Sequence, residues 1–148
     1  MTRKPTTPAG YSGTPLPKKL GIKEGDRVGV TWAPAGLRST LGPLPIGAHL
    51  EALSGRNYPI VLLFARTSSE LGKDLPRAKR AIAVDGAIWL CWPKKTSPLA
   101  RELTGDVVRE SGLAAGLVDV KVCAIDNDWS GLKFMYRVRD RLKRSMKK

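Results

Sequence analysis

The eight residues Tyr58-Pro59-Ile60-Val61-Leu62-Leu63-Phe64-Ala65 carry no charge and no alternation of polar with apolar positions. A strand of this kind must be covered on both faces, the situation inside a parallel sheet flanked by helices. A second apolar run, Ala87-Ile88-Trp89-Leu90-Cys91-Trp92, repeats the condition and is stopped by Pro93. Between them, Ser68 or Ser69 reads as the cap of a helix to about Arg80. Leu71, Leu75 and Ala78 would face the sheet, with Lys73, Arg77 and Arg80 outward. Asp85-Gly86 then reads as the turn into the next strand. Strand, helix and strand in this order predict a right-handed crossover.

The flanking segments extend the pattern. Thr14 reads as the cap of a short helix, with Pro15 at its first position and Gly21 ending it. Arg27 to Trp32 reads as a first strand, Ala35 to Leu41 as one or two helical turns, and Ala48 to Leu53 as a second strand. Downstream, a helix is expected over Ser97 to Gly112, with Leu99, Leu103, Val107 and Ser111 on one face. Gly116 to Asp126 and Leu132 to Tyr136, joined through Asn127-Asp128-Trp129-Ser130-Gly131, read as an apolar hairpin entering the sheet antiparallel. From Arg137, Val138, Leu142 and Met146 recur at four-residue steps, a helix expected to lie on the domain. The predicted fold class is α/β: a three-layer, Rossmann-like, mostly parallel sheet of about six strands ending in an antiparallel hairpin. The expected division is a flexible basic arm over 1–10, one domain over 11–136 and a basic amphipathic helix over 137–148.

Composition restricts function more than fold. Among 148 residues, 26 Lys and Arg stand against 13 Asp and Glu, a net +13 that favours phosphate polymers or other acidic partners. Residues 133–148 contribute eight basic residues and one acid. Cys91 and Cys123 lie inside apolar runs and read as reduced core thiols. With two Cys and one His, the ligands for a structural zinc site are too few. No stretch approaches the roughly 20 apolar residues of a membrane span, so a cytoplasmic protein without membrane contact is expected.

In an open α/β sheet, ligands bind outside the carboxyl ends of the strands, where the connecting loops gather. Four loops would meet there. They carry Trp32; Arg66 and Ser69; Lys94 and Lys95; and Asp126 and Trp129. The cations and the helix N-termini at Ser69 and Ser97 favour an anion, and the tryptophans offer flat faces, so a phosphate-bearing or nucleotide-like ligand would suit the rim. The same residues also serve as ordinary turn and cap chemistry. Asp126 reads either as a base or ribose contact or as the acceptor for its own loop, and Trp129 either as a stacking platform or as a lid on the core. His49 reads as a surface or core-edge residue, and Ser130 lacks the surroundings of a nucleophile. No catalytic signature is complete. The loop after the first strand, Thr31-Trp32-Ala33-Pro34-Ala35-Gly36, lacks the spaced glycines of a dinucleotide or phosphate loop, so no cofactor is assigned. The basic tail is the other candidate: Arg139, Arg141, Lys143, Arg144, Lys147 and Lys148 would meet phosphates, or would simply be solvated.

The strings Gly10-Tyr11-Ser12-Gly13-Thr14-Pro15-Leu16, Trp92-Pro93-Lys94-Lys95, and Gly116-Leu117-Val118-Asp119 through Trp129-Ser130-Gly131-Leu132-Lys133-Phe134 resemble a family of small uncharacterised bacterial proteins, over about residues 10 to 141. The resemblance implies a bacterial cytoplasmic protein with no established activity. The plan is also similar to a shortened class I methyltransferase, which ends in a comparable hairpin, although the glycine-rich loop that holds S-adenosylmethionine is missing. Two functions follow as expectations. One is a non-catalytic domain that contacts RNA, the ribosome or another polyanion through its basic surface. The other is an enzyme or sensor for a small anionic molecule at the rim.

Overall fold

The computed structural model describes residues 13–146, with side chains through Lys143. The expected arm over 1–10, Lys147 and Lys148, and the side chains of Arg144 and Met146 lie outside the described residues. The chain forms α1 (Leu16–Leu20), β1 (Arg27–Thr31), α2 (Leu37–Leu41), β2 (His49–Ala52), β3 (Tyr58–Phe64), α3 (Ser68–Ala81), β4 (Ile82–Pro93), α4 (Gly105–Ala114), β5 (Leu117–Ala124), β6 (Trp129–Tyr136) and α5 (Val138–Met146). One sheet holds all six strands in the order β2-β1-β3-β4-β6-β5. The first four of these are parallel, and β6 runs antiparallel to both β4 and β5.

Helices cover both faces, as the apolar run at β3 requires. Val61 and Leu63 join Leu71, Leu75 and Ala78 of α3 and Val108 of α4 in one core layer. Ile60, Leu62 and Phe64 join Leu20 of α1 and Leu37 and Leu41 of α2 in the other. The alternation along one strand therefore separates two cores instead of core from solvent. Trp89 on β4 is fully buried in the second layer, and its Nε1 donates to the Leu20 carbonyl at 3.0 Å, fixing α1 to the sheet.

Several local expectations are corrected. Pro15, not Thr14, precedes α1 and makes no side-chain cap, whereas Gly21 ends the helix at φ 85° as expected. Thr67, rather than Ser68 or Ser69, caps α3, accepting from the Glu70 N–H at 3.1 Å. Asp85-Gly86 is no turn between elements. Both lie within the twelve-residue β4, whose pairing with β3 shifts between Tyr58 and Ile60, and a Cβ on Gly86 would come within 2.6 Å of the Tyr58 carbonyl oxygen. The helix expected from Ser97 begins only at Gly105. Ser97 instead closes a turn, its Oγ accepting from the Leu99 N–H at 3.0 Å, and Thr104 supplies the cap. That delay moves the buried face of α4 to Val108 and Gly112. The helix after Arg137 forms, but Val138 and Leu142 point outward, 74% and 65% exposed. Arg141 takes the inward side, donating from Nε to the Tyr136 carbonyl at 2.9 Å.

Candidate ligand-binding cleft at the strand ends

The chain leaves β1 for β2 on one side and crosses to β3 on the other, so the strand order diverges beside β1. The carboxyl end of such a strand opens a crevice. A cavity of about 530 Å³ lies there, lined by Val30 and Trp32 of the β1 end, Leu37, Arg38 and Ser39 of α2, and Leu50 to Ala52 of β2. Its volume is within the range of small-molecule sites.

Trp32 sets the character of this cleft. The residue is 68% exposed and has φ 54°, a left-handed conformation that costs a bulky side chain roughly 1–2 kcal/mol. Its indole Nε1 donates to Asp74 Oδ2 of α3 at 2.8 Å, so a long-range contact holds the ring in place. Next to it, Thr31 carries a buried hydroxyl with no hydrogen-bond partner among the described residues.

The other predicted rim residues lie along the same sheet edge but divide between two further pockets. Trp32, Arg66 and Trp129, with Phe64 and Glu70, line one of about 210 Å³. Lys94 and Lys95, with Trp92, Arg101 and Ser130, line another of about 270 Å³. Trp129 is only 3% exposed and meets Phe64 edge to face at 5.1 Å, closing the core under the rim. Asp126 Oδ1 accepts the N–H groups of Asp128 and Trp129, both at 2.8 Å, and thereby shapes the hairpin turn. The Lys94 N–H donates to the Asp128 carbonyl at 2.7 Å, tying the loop after β4 to that turn. Ser69 lines neither pocket. The α3 N-terminus near it is occupied by carboxylates: Glu102 accepts from the Ser68 N–H at 2.7 Å and Glu70 from the Arg66 N–H at 2.8 Å. The Ser68 contacts hold the Glu102 carboxyl below its usual range. Ser97 is not at a helix start, and its Oγ donates to Asp128 Oδ1 at 2.9 Å.

The sequence reading passed over Asp74, Arg38, Leu50 and Glu51. For Glu51 a signal existed, because His49 and Glu51 are two apart on a strand and so share a face. His49 Nε2 lies 2.8 Å from Glu51 Oε1, while Glu51 Oε2 accepts from the Tyr58 hydroxyl at 2.6 Å and from Arg27 at 3.1 Å. The Tyr58 hydrogen bond first, then His49 and Arg27, hold the Glu51 carboxyl down at about 2.

The strand order and connections define a class: this is an α/β domain with a methyltransferase-like Rossmann fold. A DhpI complex with SAH superposes with a TM-score of 0.57 at 11% identity, covering 84% of this chain and 83% of that one. Aeropyrum pernix fibrillarin with natively bound S-adenosyl-L-methionine gives 0.53 at 12%, covering 78% and 69%. A TehB-like SAM-dependent methyltransferase from Corynebacterium glutamicum gives 0.50 at 10%, covering 87% and 91%. At these identities the likeness is one of fold. By sequence, the chain belongs to the DUF3052 family, proteins of unknown function, which it matches over residues 51–138. No curated protein sequence matches it.

The residues of the cleft do not fit S-adenosylmethionine as glycine-loop sites hold it. Such sites need a bare backbone after the first strand and a free acid near the end of the second. Here Trp32 and Pro34 stand in the loop, and the Glu51 carboxylate already serves Tyr58, Arg27 and His49.

Among the described residues, no helix is long and apolar enough to cross a membrane, and no cluster of metal-ligating side chains occurs. Burial pushes the Cys91 thiol well up, and the Cys123 thiol is raised for the same reason.

Proposed function

We infer that the protein is a ligand-binding domain whose cleft beside β1 takes a planar, anionic molecule of about nucleotide size. The indole of Trp32 is its stacking face and Arg38 the partner of its anionic group. One observation carries this reading: an exposed tryptophan is kept in a left-handed backbone conformation and anchored through Asp74 at the border of a 530 Å³ cavity. Strain that the surroundings maintain is a pointer to function. The apolar floor of Val30, Leu37 and Leu50 suits a ring, and Arg66 in the adjoining pocket adds a second cation near the same indole. The carboxylate that lines the cleft, Glu51, is fully engaged, which favours binding over acid–base chemistry.

Thermal unfolding with AMP, GMP, CMP, UMP, S-adenosylmethionine and S-adenosylhomocysteine tests this. A nucleotide at a hundred times its dissociation constant should stabilise the fold by about 2.7 kcal/mol. Trp32→Leu and Arg38→Gln should abolish the shift, and S-adenosylmethionine should give none. Absence of any nucleotide shift, or a shift indifferent to both substitutions, would overturn the reading.

A second reading, contact with RNA, the ribosome or another polyanion, is favoured by the net charge of +13 and by the exposure of Arg139 and Lys143 on α5. Such binding should weaken steeply between low and moderate salt.

A further inference from the structure

The sheet face that carries α1 is left open toward the β5 edge, and three lysines gather there. Lys121 and Lys133 stand directly opposite each other on β5 and β6, in the same lateral row as the buried Trp89. Like charges so placed repel and destabilise a sheet. Lys133 is half-buried, and its Nζ reaches toward the end of α1, 4.0 Å from where a Cβ on Gly21 would be. Lys23 lies two residues after Gly21, and its N–H donates to Asp26 Oδ2 at 2.8 Å in the turn that leads into β1. Burial first, and then the charges of Lys121 and Lys23, push the Lys133 ammonium below its usual range. None of the three lysines forms an ion pair among the described residues. Repulsion between cations kept together is relieved by an anion seated among them.

We propose that Lys23, Lys121 and Lys133 form a phosphate-binding site on the open face of the β5–β6 hairpin, separate from the cleft beside Trp32. Lys121 on the edge strand and Lys133 on the adjacent inner strand share one lateral row, and Lys23 follows the helix end that Lys133 Nζ approaches, so a phosphate on this face meets cations from the hairpin and from the loop. The site lacks an aromatic platform, so it recognises the phosphate and not a base. Free di- or polyphosphate and the backbone of a single-stranded nucleic acid present the same chemistry.

The test uses the full chain with two probes, inorganic pyrophosphate and a fluorescein-labelled oligouridylate, by anisotropy at about 50 and about 200 mM NaCl. Lys121→Gln and Lys23→Gln should each weaken binding several-fold and lower the log–log salt slope by about one. Lys133→Met, which keeps the packed stem, should do the same. Lys121→Gln, on the exposed edge strand, keeps the test decisive if the Lys133 variant is unstable. A Lys73→Gln, Arg77→Gln double variant on α3, which packs on the opposite face of the sheet, should leave binding nearly unchanged. Displacement of the oligonucleotide by pyrophosphate would identify free phosphate as sufficient, whereas retention of RNA that only the lysine variants release would identify the backbone. Failure of both probes to bind, indifference to the three lysine variants, or a loss confined to the α3 variant would each overturn the proposal. Because Trp32→Leu leaves this surface intact, loss of the cleft reading would not remove it.

Discussion

Gly112 sits in the last turn of α4, and glycine inside a helix weakens it by about 1 kcal/mol relative to alanine. The position has a reason, because a Cβ there would lie 2.2 Å from Phe134 Cε1 in the core. Gly112→Ala is therefore expected to destabilise by about 1–3 kcal/mol, reversing the helix-propensity trend, as measured by urea unfolding. Glu51 supplies a pH prediction. Its folded carboxyl at about 2 lies below the ordinary 4.5, so its contribution is complete above the ordinary value and disappears as pH falls through the folded one. Melting temperatures taken between those limits should fall less for Glu51→Gln than for the parent chain. Of the candidate site, what the sequence revealed was position: the rim loops follow from strand ends marked by Pro93 and by the breaks after Trp32 and Ala65. Partners were hidden. Asp74 anchors Trp32 across 42 residues, and nothing in the local pattern of α3 distinguishes that carboxylate from an ordinary solvated one.

Among the elements, β3 and β4 were legible because their lack of alternation admits one environment, burial on both faces. The start of α4 was not, since a glycine directly after the Thr104 cap is a poor helix signal and Ser97-Pro98 imitates a better one. For α5 the four-residue period holds, but the face it marks points outward. The Arg141 guanidinium contacts the Tyr136 carbonyl and the Met135 sulfur, so the polar side faces the domain. Val138→Ser and Leu142→Ser should consequently change unfolding free energy by no more than about 0.5 kcal/mol, a check available from denaturant midpoints. Strand register also constrains the thiols. Cys91 and Cys123 both align with Gly131, from opposite sides of β6, which places their Cα atoms two strand spacings, roughly 10 Å, apart. No disulfide spans that distance without backbone movement. Both cysteines should titrate as thiols in denaturant, and Cys91 should resist a thiol reagent in the native protein.

For the molecule as a whole, an excess of 13 positive charges on 148 residues means that the compact state repels itself. Raising NaCl from low to moderate concentration should raise the melting temperature even as it weakens any phosphate contact, because screening acts on both. A fall in melting temperature over that range would show that the cations are already neutralised within the fold. The order of the sheet has a consequence of another kind. The strand made last, β6, is interior, seated between β4 and β5. During synthesis β5 leaves the ribosome with no neighbour to pair with, and β4 exposes an edge, until the chain has been extended through Tyr136. Vectorial folding from the amino end can settle β1 to β4 around α3, but it cannot close the domain early. A nascent chain stalled before residue 129 would present two unsatisfied borders to chaperones or to its own copies.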